Sequence, residues 1–204
     1  MNKSEEPTSN KARILQAAID LFSEKGYTHV TMREIAAAVQ IKAASIYNHY
    51  AGKEALLDAI VDYFRELLHS EIYPRFEISP DTDIQRFIES VITANARFFT
   101  NPYFAKIGGI MLREQFTSEN VRRLLLQELI RKPRETFALY FEQLMAAGKM
   151  TPADPHFVAK EFHAFFIDSF YENSLAMDSP PPDPAKAQAE QEAHIEHFLK
   201  GFCL

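Results

Sequence analysis

The chain has 204 residues, 47% hydrophobic and 25% charged, which suits a globular protein long enough to bury one large or two small cores. No apolar run approaches the roughly 20 residues a membrane span needs, the stretch MNKSEEPTSNKAR lacks an apolar leader core, and the single cysteine, Cys203, excludes an intrachain disulfide and a cysteine-rich zinc site. The net charge of −6 is unevenly placed: residues 1–53 hold seven Lys/Arg against five Asp/Glu, giving +2, and the remainder carries −8. A cytoplasmic chain with no membrane contact is expected, and its basic end is the one suited to a phosphate backbone.

In chain order, residues 1–10 read as a polar arm. From Lys11 to Lys25, Ile14, Leu15, Ala18, Leu21 and Phe22 follow helical spacing, and Gly26 stops the helix. Thr31 and Glu34 have the Thr-x-x-Glu spacing of a capping box, which starts a second helix with Ile35, Ala36 and Val39 on its apolar face. Gln40-Ile41 is the turn, with Ile41 read as a buried plug. Lys42 opens a third helix in which Ile46 and Tyr50 point inward. Its other side shows Lys42, Ala43, Ala44, Ser45, Tyr47, Asn48 and His49. A recognition helix needs this pattern: little bulk at its leading end, so that it can enter the major groove, and donors beside it for base edges and phosphates.

Thr31, the run Ser45-Ile46-Tyr47-Asn48-His49-Tyr50 and the run Lys53-Glu54-Ala55-Leu56-Leu57 resemble the DNA-binding domain of the TetR/AcrR family of one-component transcription factors. With the preceding helix, the resemblance covers about the first quarter of the chain. It implies that Thr31, Tyr47, His49 and Lys53 contact phosphates and that Arg33, Lys42, Ala43, Ala44 and Ser45 approach the bases, with Asn48 beside them. The leading face of the recognition helix has few long donors. That departure places sequence specificity on Arg33, Lys42 and DNA shape.

After Gly52-Lys53, the stripe Leu56, Leu57, Ile60, Val61, Phe64, Leu67 and Leu68 predicts a helix to about Ser70, whose first amides, with Lys53, are suited to a phosphate. Pro74 and Pro80 bracket a loop, and Ser79-Pro80-Asp81 starts a helix to about Thr100. Asn101-Pro102 begins another, containing Gly108-Gly109, a pair that disfavours helix by roughly 1 kcal/mol each and is read as a close-packing point or a hinge. Ser118 to Arg131 is helical, and Pro133 opens a helix ended by Gly148. Asp154-Pro155 caps the next, Ser179 to Pro184 is a stiff linker, and a last helix carries Ile195, Phe198, Leu199 and Phe202. No strand or repeat is found. The expectation is an all-α chain of about nine helices. A three-helix helix-turn-helix DNA-binding domain would occupy residues 1–53, and a six-helix ligand-binding and dimerisation domain residues 54–204.

Sixteen of the 17 phenylalanines follow Lys53. Most are ordinary core, yet the number suggests a pocket lined from Phe64, Asn95, Phe99, Phe104, Met111, Phe137, Tyr140, Phe141, Phe162, His163 and Phe166, suited to an apolar or aromatic molecule. The family resemblance implies a dimer interface on the last two helices, placed here at Phe165, Phe170, Ile195, Phe198, Leu199 and Phe202. His156, His163, His194 and His197 lack strict metal-ligand spacing and read as solvated or hydrogen-bonded, so neither metal nor cofactor is expected. There is no Gly-rich phosphate loop, nucleophile elbow or paired His-Glu motif, so no enzyme is expected. The expected function is a homodimeric transcriptional repressor that binds a near-palindromic operator in double-stranded DNA and leaves it on binding a small-molecule effector. The alternative is a dimeric module that binds a ligand or protein without reading an operator.

Overall fold

The computed structural model describes residues 9–75, 83–175 and 183–203. Among these, helices α1 (Asn10–Lys25), α2 (Met32–Ala38), α3 (Ala43–Ile46), α4 (Lys53–Leu67), α5 (Ile84–Thr100), α6 (Pro102–Glu114), α7 (Glu119–Leu124), α8 (Lys132–Ala146), α9 (Pro155–Leu175) and α10 (Pro184–Phe202) follow in order. The one extended pairing among them is an isolated antiparallel bridge between Met150 and Cys203.

Short polar side chains set the starts. Ser9 caps α1, Asp83 caps α5 by accepting from the Arg86 amide at 2.9 Å, and Asp154 Oδ1 accepts from the His156 amide at 2.9 Å at the head of α9. The expected Ser79-Pro80-Asp81 start lies outside the described residues, as does most of the Ser179–Pro184 run; Asp183 caps α10. Gly148, at φ 67°, ends α8, with its own amide bonded to Met145 O and the Lys149 amide to Leu144 O.

Two segments depart from the expected α-helix. Leu68–Ile72 after α4 and Leu125–Arg131 after α7 are π-helical. Each ends two residues before a proline, Pro74 and Pro133. Proline has no amide to donate to the carbonyl four residues back and its ring crowds that carbonyl, so the turn ahead of it widens. Glu119 to Ala146 is therefore continuously helical, and Pro133 lies within the run instead of opening a separate helix. Gly108 and Gly109 are buried inside an unbroken α6.

The chain divides into two compact units. One comprises Met1–Phe64 and Lys106–Arg122, the other Arg65–Ala105 and Arg123–Leu204. The boundary expected after residue 53 falls inside the first. Within that unit Ile14, Ala18, Phe22, Ile35, Ile46, Leu56 and Ile60 are buried. Arg113 of α6 donates to Phe22 O and Ser23 O at 3.2 and 2.9 Å at the end of α1, where Phe22 O also accepts from the Gly26 amide at 3.0 Å.

The core of the second unit is a stack of rings. Phe87 of α5 lies 4.6 Å from Tyr140 of α8 in stacked geometry, and Phe137 meets Phe162 of α9 edge-on at 5.2 Å. Phe198 of α10 closes on Phe141 at 5.3 Å and on Phe162 at 4.8 Å. Burial of each ring is worth about 2–3 kcal/mol, and ring pairing adds roughly 0.5–1.5 kcal/mol per contact. This cluster joins α5, α8, α9 and α10.

Candidate nucleic-acid interface and ligand cavity

Local hydrogen bonds shape the first unit between α2 and α3. The capping box is formed: Glu34 Oε2 accepts from Thr31 N at 2.8 Å and Thr31 Oγ1 at 2.9 Å, and the Glu34 amide donates to Thr31 Oγ1 at 3.3 Å. These bonds, the backbone one first, hold the Glu34 carboxyl below its ordinary pKa, as does Lys25 at 3.3 Å. At the other end of α2, Gln40 takes φ 57°, the left-handed conformation that usually falls to glycine. Its amide donates to Ala37 O at 3.1 Å and the Ile41 amide to Ala36 O at 3.0 Å, the paired bonds of a Schellman stop. Ile41 is thus the apolar residue that follows such a stop. It is half-buried, less enclosed than the expected plug.

α3 is a single turn, shorter than the expected recognition helix, and the chain continues through Tyr47, Asn48 and His49 in turns bonded back to Ser45 and Ile46. Ile46 and Tyr50 are buried as expected, and Tyr50 Oη donates to Lys11 O of α1 at 3.2 Å. Arg13 Nη2 donates to Val39 O at 3.0 Å. With the inner side anchored, Lys42, Ala44, Tyr47, Asn48 and His49 are exposed, along with Thr31 and Arg33, while Ala43 and Ser45 are half-buried. Lys53 behaves differently. Its ammonium donates to Tyr27 O at 2.9 Å, Val30 O at 3.1 Å and Thr28 O at 3.2 Å, and sits 4.5 Å from the centre of the Tyr27 ring. All three of its hydrogens are committed to the loop that leads into α2.

The second unit holds a cavity that opens to solvent at its mouth. Both π-helical segments contribute walls, through Leu68 and Ile72 and through Glu128 and Leu129. α5 adds Ala94, Asn95 and Phe98, α8 adds Pro133 and Phe137, and α9 adds His163, Phe166, Ile167 and Phe170. Tyr73 completes it, its hydroxyl donating to Glu128 O at 2.6 Å and Glu128 Oε2 at 3.0 Å. The same carboxylate meets His69 at 3.2 Å, Lys132 at 3.6 Å and Arg65 at 4.0 Å. His163 is 6% exposed, and burial first, then the Arg134 charge, push its imidazole down to about 4, so it is neutral near pH 7.

Of the expected ligand residues, Asn95, Phe137, His163 and Phe166 line this cavity. Tyr140, Phe141 and Phe162 do not, because their faces are taken by the ring stack. Phe64 and Met111 are fully buried residues of the first unit. Phe104 stands behind the wall, stacked on Phe98 at 4.7 Å, and the Phe99 side chain lies outside the described residues. Of the expected dimer residues, Phe170, Ile195 and Phe198 are buried in this chain and Phe165, Leu199 and Phe202 are half-buried. Ile195 and Phe198 are 2% and 5% exposed in the chain's own core, Leu199 and Phe202 pack against that core, Phe165 stacks on His194 at 4.4 Å, and Phe170 lines the cavity. Tyr73, Glu128 and the π-helical residues were not anticipated, since a glutamate on an amphipathic helix reads as solvated; the prolines two residues on were the available signal. His194 Nε2 lies 3.0 Å from Phe162 O, and no group of three or more His, Cys, Asp or Glu suited to a metal occurs among the described residues.

Residues 14–60 match the family described as bacterial regulatory proteins, tetR family, and residues 88–203 match the AefR-like transcriptional repressor C-terminal domain. A biofilm operon icaADBC negative transcriptional regulator, IcaR, of Staphylococcus epidermidis is 44% identical over 62 residues, 28% of this chain and 34% of that protein. An HTH-type transcriptional repressor of Mycobacterium tuberculosis is 39% identical over 64 residues, 29% of this chain and 34% of that protein. The matched segment thus spans about a third of the length of these curated relatives. A TetR family transcriptional regulator from Pseudomonas syringae pv. tomato superposes with a TM-score of 0.73 at 20% identity, over 98% of this chain and all of that one, which shows a shared fold.

Proposed function

Because the chain belongs to the tetR family of bacterial regulatory proteins, we propose that it is a cytoplasmic, DNA-binding transcriptional repressor and not an enzyme, released from its operator by a small apolar or aromatic effector. The observation that carries the reading is the one-sided exposure around α3: Lys42, Ala44, Tyr47, Asn48 and His49 face outward while Ile46 and Tyr50 anchor the inner side. Small side chains let the segment approach base edges, and the alanine methyl is suited to a thymine methyl. Thr31, Tyr47 and His49 are assigned to phosphates, Arg33, Lys42, Ala43, Ala44 and Ser45 to the bases, with Asn48 at the edge. Lys53 is assigned to holding the loop before α2, since its donors are committed there.

Two recognition segments at about 34–36 Å would read a near-palindromic site, which needs a homodimer. The face we assign to self-association is the outer stripe of α9, where Phe157, Ala164 and Tyr171 repeat every seven residues and Leu175 follows, all exposed. Effector binding in the second unit would need to favour another head separation by about 1–3 kcal/mol to lower operator occupancy severalfold or more.

The test is an anisotropy titration of the full chain on DNA from immediately upstream of its own gene, at two salt concentrations. Tight, sequence-selective binding with a steep salt dependence is the expected result. Binding that is weak and equal on every sequence recovered from a random-DNA selection would overturn the reading.

A further inference from the structure

We infer that the cavity of the second unit selects an uncharged aromatic molecule bearing a hydroxyl group, an inference that rests on the effector-binding reading above. The walls supply ring faces from Phe98, Phe137, Phe166 and Phe170, so the body of the ligand is aromatic or apolar. The class is decided by the hydrogen-bonding valences left over.

Asn95, on the cavity wall, donates one Nδ2 hydrogen to Val91 O at 3.0 Å, one turn back on α5, which leaves its carboxamide oxygen as an acceptor and its second N–H as a donor. His163 lines the same cavity, and its Nδ1 is enclosed without a hydrogen-bond partner. Its neutral form presents one N–H and one bare nitrogen. A buried polar group without a partner is costly, so a ligand that provides one gains affinity on entry. A hydroxyl both donates and accepts: it accepts from a protonated Nδ1 and gives its hydrogen to the Asn95 oxygen, or gives that hydrogen to a bare Nδ1 and accepts from the second Asn95 N–H.

Charged ligands fit less well. Among the described residues no Lys or Arg lines the cavity, and the charged group in its wall, the Glu128 carboxylate, is already paired with Lys132 and Arg65, so an incoming anion finds no uncompensated positive charge there. Tyr73 Oη, His69 and Lys132, the nearby donors, are already turned to that carboxylate at 3.0, 3.2 and 3.6 Å. The same partners offset Glu128 against an incoming cation. The group that favours an anion is Arg134, whose Nε is enclosed without a hydrogen-bond partner and whose charge acts on His163.

Calorimetric titration of the full chain with naphthalene, 1-naphthol, 1-naphthoate and (1-naphthylmethyl)ammonium at pH 7 separates these cases with one ring system. The expected result is 1-naphthol binding about tenfold or more tighter than naphthalene and than either ion, the increment of one well-made hydrogen bond. The preference should shrink in Asn95→Leu and in His163→Phe while naphthalene binding persists. Equal affinity for naphthalene and 1-naphthol would overturn the hydroxyl assignment and leave the pocket. Tighter binding of naphthoate would overturn it in favour of Arg134, and of the ammonium in favour of Glu128. Failure of every member to bind would remove the effector-site reading itself, and the inference with it.

Discussion

Lys53 reaches back across more than twenty residues to Tyr27, its ammonium 2.9 Å from that residue's carbonyl oxygen and 4.5 Å from the centre of its ring. With Thr28 O and Val30 O also bound, this one side chain fixes the loop from which α2 departs. Lys53→Met keeps the aliphatic stem and removes the donors. Loss of three charge-assisted bonds to carbonyls should destabilise the first unit by about 1–3 kcal/mol, read as a lower thermal midpoint with little change in the salt slope of DNA binding. An unchanged midpoint with a shallower slope would return Lys53 to the phosphates.

Lys42 presents the opposite case, since it caps α3 without a side-chain bond and is exposed. In Lys42→Ala the thermal midpoint should stay where it is, and operator affinity should fall. If the lysine reaches a phosphate, the slope of log affinity against log salt drops by about 0.9 per recognition segment. If it reads a base instead, the loss is about 1–3 kcal/mol and confined to the cognate sequence. An identical titration curve on operator and scrambled DNA for both proteins would exclude either role.

Gln40 stands where the left-handed stop of α2 would suit glycine, at φ 57°. Gln40→Gly relieves a backbone strain of roughly 1–2 kcal/mol and gives back about 0.5–1 kcal/mol through the looser unfolded chain, a net gain of about 0.5–1 kcal/mol. Gln40→Val, branched at Cβ, should move the midpoint the other way. Both are read by thermal unfolding, and a destabilising glycine would contradict the strain argument.

His163 makes stability depend on pH. Its folded-state value, about 4, lies below the ordinary 6.5 because burial disfavours the imidazolium and Arg134 adds to this. Between these values the unfolded chain binds more protons, so stability is at its full value above about pH 6.5 and is lost as pH falls toward 4, by an amount on the order of 3 kcal/mol. His194 acts in the same direction, its value lowered by burial. Chemical denaturation of His163→Phe at pH 7 and pH 5 should therefore show a smaller difference than the parent; an equal difference would place the dependence elsewhere.

Signals carried within a few residues are legible in the sequence. The Thr31-Glu34 box, the Gly26 and Gly148 stops, and the inward Ile46 and Tyr50 against outward Lys42, Tyr47 and His49 all depend on contacts one to five positions apart or on one helical period. Such features are set by backbone geometry and by the alternation of apolar and polar groups, which any stretch of chain displays by itself. Tertiary structure decided what that alternation cannot encode. Tyr140 and Phe137 sit three apart on α8, both aromatic and both buried; one is closed into the ring stack and the other opens on a cavity because α5 and α9 meet them differently. Ile195 and Phe198 present an apolar stripe that suits a partner chain or a core equally well, and the chain's own α5, α8 and α9 cover it. Hydrophobic burial is non-directional, so the sequence by itself determines that such a face will be covered, and only the fold determines by what.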